Sequence, residues 1–359
     1  MLQFAERKII MIDPETFSTD HIREIQKQSR RDPSLIERTI FAFGLLDAIA
    51  RTGLPFIFKG GSALMLLLES PRRFSTDIDI VVAPSVEIDK YLTTAATIWP
   101  FIEINEHLRN VMTQIDKRHF KFTFTSPLTK RGYSILLDVL FEENPYSTIL
   151  ERPIENELLV VKEPAVIVKI PSANCLIADK LTAFAPNTTG IPYHVDKELE
   201  IIKQLYDIAT LFDSVDNLTE VRRNYNNIAH TELKYRGMDA VPEDALRDTI
   251  NTAVCVAGRG LYQPDVYSLL KKGISNISNH IYSERFNGEV AVQRACIVMY
   301  IAAAILTNCN RLPVFKDDDY YRSSMIKDNE YSKLGYIRKM DILAYSYLIE
   351  AVDMLSAKS

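Results

Sequence analysis

Several signatures that would narrow a function quickly are missing from this 359-residue chain. Its formal net charge is only −5 and its sequence pI about 5.8, which excludes wholesale coating of nucleic acid by a basic surface. Only local basic clusters remain for such a role: Arg72-Arg73, Lys117-Arg118 with Lys121, Lys130-Arg131, Arg222-Arg223 and Lys271-Lys272. Each reads on its own as solvated surface. The four cysteines (Cys175, Cys255, Cys296, Cys309) are scattered, with no CxxC pair and no histidine at ligand spacing, so neither a zinc site nor a disulfide framework is expected. Long hydrophobic runs are absent too. The longest, CIVMYIAAAIL from Cys296 to Leu306, is too short to span a bilayer and reads as a buried helix. MLQFAERKII at the N-terminus has no secretory core, so a soluble cytoplasmic protein without a membrane partner is expected. Internal repeats and low-complexity linkers are also lacking.

What is present is ordinary for a globular protein, with 47% apolar and 25% charged residues and enough chain for two domains. Asp32 followed by Pro33 predicts the N-terminus of an amphipathic helix running to Arg51, where Gly53 and Pro55 stop it. From there the pattern is mixed. PFIF (Pro55 to Phe58) reads as a strand, SALMLLLE as a short helix capped by Ser62, TDIDIVV as a strand, and a further helix starts at Ser85. HFKFTFTS alternates strictly, with Phe120, Phe122 and Phe124 on one face. PLTKRG turns it into a second, buried strand, YSILLDVLF. Beyond the prolines at 145, 153, 164 and 171 the pattern is helical almost to the end, beginning with a helix capped by Ser172. An α+β fold follows: a mixed sheet flanked by helices over residues 1–165, with preceding N-terminal helices, then an all-α half over 166–359.

The chemistry concentrates in FKGGSALMLLLESPRRFSTDIDIVV, residues 58–82. Asp77 and Asp79 are two apart on a strand, so both carboxylates leave the same face. Side by side without a cation they repel, and burying both charges is costly. A divalent metal removes the conflict, and carboxylate-rich sites suit Mg²⁺ or Mn²⁺. Asp138, isolated in SILLDVLF, is a third acid that a neighbouring strand could bring beside the pair. Three acids around two metals is an arrangement used for in-line phosphoryl and nucleotidyl transfer. Gly60-Gly61-Ser62 supplies the complement: glycines allow close backbone approach to a phosphate, and the following helix N-terminus offers N–H groups to an anion. Ser62 could bond a terminal phosphate, and Lys59 adds a charge.

The order strand, GGS, short helix, hDhDh and later hDh resembles the signature of the nucleotidyltransferase superfamily with the DNA polymerase β-type fold. KGGSALMLLLESPRRFSTDIDIVV is more narrowly similar to the AbiEii/AbiGii toxin family of type IV toxin–antitoxin and abortive-infection systems. LIADKLTAFAPNTTG (Leu176 to Gly190) resembles that family's A-D-K-L-x-A helix, and KQLYDIATLF (Lys203 to Phe212) its following basic-to-acidic segment. The resemblance covers roughly residues 35–215. It implies a catalytic set of Asp77, Asp79, Asp138, Lys180 and Asp207, with the metals on the first three. It implies nucleotide binding through Lys59, Gly60, Gly61, Ser62 and Ser75, the last matching a serine that is modified in some relatives. Lys203 stands where many relatives carry arginine and lacks the guanidinium fork for a bidentate phosphate contact. From the residues alone, Lys180 either snorkels to solvent or points into an acidic site, and Lys203, four before Asp207, reads as its helix partner.

The resemblance implies a metal-dependent nucleotidyltransferase toxin moving NMP from an NTP to an acceptor such as the 3′ end of tRNA, blocking translation, with a cognate antitoxin as partner. Arg222-Arg223 and Lys271-Lys272 are then candidate RNA contacts. Two other readings stay open. Arg223 and His230 fit the loose R-x₄₋₆-H spacing of HEPN-type ribonucleases, and the chain could instead be a non-catalytic module binding NTP or antitoxin.

Overall fold

The computed structural model describes residues 12–68, 72–107, 117–162 and 164–358, so MLQFAERKII lies outside the described residues. The chain forms two compact units, one built from residues 1–144 and 149–171 and the other from 145–148 and 172–359.

The first unit contains α1 (Thr19–Ser29), α2 (Pro33–Arg51), β1 (Ile57–Lys59), α3 (Gly60–Leu67), β2 (Asp77–Val82) and α4 (Asp89–Ala95). It continues with β3 (Phe101–Glu106), β4 (Lys117–Thr125), β5 (Gly132–Phe141), β6 (Ile149–Pro153) and β7 (Ile167–Pro171). Five strands form one sheet in the order β1-β2-β5-β4-β3, and β6 and β7 form an antiparallel ribbon. Only β2 and β5 run parallel; the other neighbours in the sheet are antiparallel.

Period-two alternation sorts the two faces. Ile78 and Ile80 of β2, Ile135, Leu137 and Val139 of β5, and Phe120, Phe122 and Phe124 of β4 are all buried. Phe124 stacks on Phe41 of α2 with ring centroids 3.8 Å apart, so this apolar face is the one α2 covers. Asp77, Asp79 and Asp138 occupy the alternate positions and leave the opposite face. Strand β5 is thus not buried on both sides as its composition suggests: Leu136 and Asp138 are only half-buried.

Helix α2 starts as expected, with Pro33 in its first turn and the Asp32 side chain accepting from the Ser34 N–H. It is not amphipathic, however. Nearly every residue from Ile36 to Ile49 is buried, including Glu37 and Asp47. Glu37 is satisfied by the Ser126 hydroxyl, which donates to it over 2.7 Å across the β4–β5 turn. Other expectations also shift. Helix α4 begins at Asp89 rather than Ser85, and β3 and the β6–β7 ribbon occupy stretches in which no strand was anticipated.

The second unit is helical: α5 (Ala173–Ala183), α6 (Glu198–Leu211), α7 (Leu218–Tyr235), α8 (Pro242–Ala257), α9 (Pro264–Ile277) and α10 (Gly288–Leu306), followed by α11 (Asp318–Ser323), α12 (Ile337–Met340) and α13 (Ile342–Lys358). Ser172 caps α5 as expected, accepting from the Cys175 N–H. Helix α10 extends well beyond the apolar run at its C-terminal end. It is, among the described residues, the one helix long and apolar enough to cross a membrane, but 72% of its apolar window is buried. Its packing against α8 and α13 is that of a core helix.

Candidate functional site

The register of the first unit's sheet aligns four polar residues across four strands. Lys59 of β1 pairs with Asp79 of β2, Asp79 with Asp138 of β5, and Asp138 with His119 of β4. Directly paired residues share a face, and neighbouring strands lie about 4.8 Å apart. The two carboxylates are therefore adjacent, with a lysine on one side and a histidine on the other. The His119 Nδ1 lies 2.7 Å from Asp138 Oδ1, and the ring's side chain is only 11% exposed. Lys59, Asp79, Lys117 and Asp138 line a cavity of about 90 Å³ together with Ile80, Val139 and Leu140. Asp77 lies one pleat away on the same face, opposite Leu136 and exposed.

The glycines are placed against this row. Gly60 has φ +77°, and a Cβ built there would lie 2.0 Å from Asp79 Oδ2. Only glycine allows both the left-handed backbone and that approach. A Cβ on Gly61 would lie 2.4 Å from the Arg73 guanidinium and 2.9 Å from Ser75 Oγ. The expected cap is corrected: α3 begins at Gly60 with Lys59 as its N-cap residue, and no side chain caps its first turn. Ser62 is fully buried, and its hydroxyl donates to the Asp77 carbonyl at 2.5 Å, tying α3 to β2. Hence its hydroxyl is engaged inside the unit, while the α3 N-terminus offers backbone N–H groups to an anion.

Residues outside the expected site set also lie at the row. Arg73, which stands in the KGGSALMLLLESPRRFSTDIDIVV motif and on its own reads as half of a solvated pair, is only 7% exposed and packs its guanidinium beside Gly61, donating to the Phe74 carbonyl at 3.1 Å. His119 was overshadowed by the phenylalanines with which it alternates. The same alternation was its signal, since it puts Lys117, His119 and Lys121 on the face opposite the three rings. Arg118, on the ring side, is absorbed by Asp89 at 2.7 Å and Glu106 at 2.8 Å, and it holds both carboxyls below their usual range.

In the second unit, Lys180 of α5 and Asp207 of α6 form an ion pair at 3.0 Å, with side chains 7% and 1% exposed. Lys180 therefore does not snorkel outward. The anticipated Lys203–Asp207 helix pair is corrected, since Lys203 instead reaches Glu200 at 2.8 Å. Arg222 is likewise committed within the unit, donating to the Cys309 carbonyl and the Asn310 side chain. Arg223 and His230 lie exposed on α7, and Lys271 and Lys272 are exposed on α9.

Among the described residues, no group of three or more His, Cys, Asp or Glu side chains converges as a preformed metal cage. The donor chemistry at the row nevertheless suits a hard divalent ion. Mg²⁺ takes one or two carboxylates and completes its shell with water and substrate phosphate, and adjacent Asp79 and Asp138 are such a pair.

The sequence model of the nucleotidyl transferase AbiEii toxin, type IV toxin–antitoxin system, matches residues 45–263. No curated protein matches the chain. Two solved structures from Helicobacter pylori show a loose likeness at 13% identity over 76% of this chain. JHP933 is covered over 94% of its length with a TM-score of 0.42, and a chain described as a nucleotidyltransferase over 96% with a TM-score of 0.44. The matched span takes in the glycine turn, the acid row and the Lys180–Asp207 pair, and extends over more than half of the chain. This protein belongs to the AbiEii nucleotidyltransferase toxin family of type IV toxin–antitoxin systems.

Proposed function

We propose that the row Lys59–Asp79–Asp138 is the reaction centre, and that it transfers a nucleoside monophosphate from an NTP to the 3′ end of an RNA, with tRNA as the target and arrested translation as the toxic result. The observation that carries this reading is the direct cross-strand pairing of Asp79 with Asp138 beneath the backbone of Gly60.

Each residue has a part in that reaction. Asp77, Asp79 and Asp138 would hold Mg²⁺ or Mn²⁺. When bound, the ion would polarise the α-phosphoryl group and neutralise charge on the departing pyrophosphate. The uncapped N–H groups at the start of α3, with Gly60 and Gly61 keeping the backbone bare, bind the triphosphate. Lys59 and Lys117 line the same cavity and place positive charge where phosphate oxygens would sit. Arg73 and Ser75, packed against Gly61, fix the turn's shape and border the phosphate path. The acceptor hydroxyl gives up its proton to solvent as its oxygen bonds to the α-phosphorus, the bond to the bridging oxygen breaks, and pyrophosphate leaves. Lys180 and Asp207 are included among the functional residues on the strength of the motifs they occupy, their charges held to each other in a buried pair within the helical unit.

Membership of the family supports an NTP as substrate and an antitoxin as partner. Expression in a bacterial host should arrest growth, and sequencing of tRNA 3′ ends should show added nucleotides, with both effects lost in Asp77→Ala and Asp79→Ala. Growth arrest with unaltered tRNA ends would remove tRNA as the acceptor. Arrest that persists in both variants would remove the acid row as the cause.

A further inference from the structure

His119 has no part in the reaction as described, yet its position is defined from both neighbouring strands. Its register partner is Asp138, its carbonyl accepts from the His107 N–H at 2.7 Å, and its Nδ1 lies 2.7 Å from Asp138 Oδ1. The ring is 11% exposed, whereas the Asp138 side chain it meets is 35% exposed and lines the cavity with Asp79. One oxygen of Asp138 is thus engaged from the β4 side. Oδ2 is the atom left for a ligand.

A carboxylate on a strand has free rotation about χ2, and its two oxygens are equivalent until something distinguishes them. A cation held jointly by Asp79 and Asp138 needs one oxygen of each in a fixed place. Nothing in β5 itself supplies that constraint, because the neighbours of Asp138 on the same face are Leu136 and Leu140. A ring nitrogen donating to Oδ1 does supply it, in the way that groups behind metal ligands commonly orient them.

We propose that His119 is a positioning residue for Asp138, its Nδ1–H holding Oδ1 so that Oδ2 is presented, beside Asp79, to the divalent ion. The claim rests on the acid row as the metal-binding centre, and its test is read without turnover. Mn²⁺ alone, with no nucleotide, is titrated into the full-length protein and free Mn²⁺ is followed by electron paramagnetic resonance. His119→Ala should weaken Mn²⁺ binding by about tenfold, the low end for loss of an orienting group. His119→Asn should recover most of that loss, because an asparagine Nδ2 falls close to the histidine Nδ1 position and donates to the same oxygen. Asp79→Asn should bind most weakly of all. A companion measurement, the Mg²⁺ concentration for half-maximal transfer, should rise in His119→Ala by a similar factor, with the KM for NTP at saturating metal little changed. Wild-type affinity for Mn²⁺ in His119→Ala overturns the proposal, as does failure of His119→Asn to recover it while its thermal midpoint matches wild type. A wild-type protein that binds Mn²⁺ but transfers no nucleotide removes the proposed reaction and leaves this inference to be decided by the variants. A wild-type protein that binds no Mn²⁺ overturns both.

Discussion

Asp79 is confined by a backbone as much as by its neighbours. The Gly60 Cα approaches it so closely that an added methyl would lie 2.0 Å from Oδ2, at a φ of +77° that side chains other than hydrogen disfavour. Gly60→Ala therefore combines two effects. The left-handed backbone costs about 1–2 kcal/mol, and the carboxylate has to leave its place in the row. The expected outcome is a modest fall in thermal midpoint with a loss of transfer of at least about 10²-fold, comparable to removing one transition-state contact. A variant that loses stability but keeps activity would show that Asp79 does not need its present position. This approach was not legible in the sequence. GGS marks a glycine turn ahead of a helix, but which carboxylate lies under which glycine depends on the β1–β2 register. The burial of Arg73 and the contact of His119 with Asp138 have the same origin: a charged residue in a loop and a polar one on an alternating strand acquire meaning only when a neighbouring element is placed.

Helices and strands were more readable where local chemistry decides them. Asp32-Pro33 fixed the start of α2, the phenylalanine alternation fixed the faces of β4, and Ser172 fixed the start of α5. Where tertiary burial decides, reading failed. Helix α2 looked one-sided and is buried nearly all round, and β3 and the β6–β7 ribbon lacked an apolar rhythm strong enough to announce them. The burial of α2 has a consequence for pH. Desolvation outweighs the nearby Arg51 and pushes the Asp47 carboxyl up from 3.8 to about 6. Between those values the folded state binds the proton more tightly than the unfolded chain, so this group's contribution makes stability fall as pH rises through the window, then level off. Asp47→Asn should raise stability at pH 7 to 8 by about 2–3 kcal/mol, from roughly two pKa units at 1.4 kcal/mol each. Denaturant titrations at pH 4.5 and 7.5 check this. A destabilised Asp47→Asn at pH 7.5 would mean that the Arg51 pair outweighs the cost of burial.

The two units of the molecule are not consecutive in the chain. The chain enters the helical unit at residues 145–148, returns to the sheet unit for 149–171, and leaves it for good at Ser172. Sequence reading placed one crossing near residue 165, because a four-residue excursion leaves no compositional trace. Glu220 anchors that excursion, accepting from Ser147 Oγ at 2.7 Å and Thr148 Oγ1 at 2.6 Å as well as from Asn174 Nδ2 at 2.8 Å. Burial works to raise its carboxyl, but the hydrogen bonds from Thr148, Asn174 and Ser147 outweigh this and hold it below the usual range. A depressed carboxyl stabilises the fold above its unfolded pKa and loses that contribution as pH falls through the folded value. Glu220→Ala should cost about 1–3 kcal/mol at neutral pH, with the gap to wild type narrowing in acid. An unfolding midpoint measured at pH 7 and pH 4 reads both. An unchanged midpoint at pH 7 would mean that residues 145–148 are held by other contacts.

In the proposed reaction the acid row moves the α-phosphoryl group and not the terminal one. Two parallel reactions, one with NTP labelled at the α-phosphate and one at the γ-phosphate, each with Mg²⁺ and total RNA, test it most directly. Label should pass to RNA from the α position only, with the γ label recovered as pyrophosphate, and Asp79→Asn should abolish transfer. Transfer from the γ position, or α transfer undiminished in Asp79→Asn, would mean that the row does not carry nucleotidyl transfer.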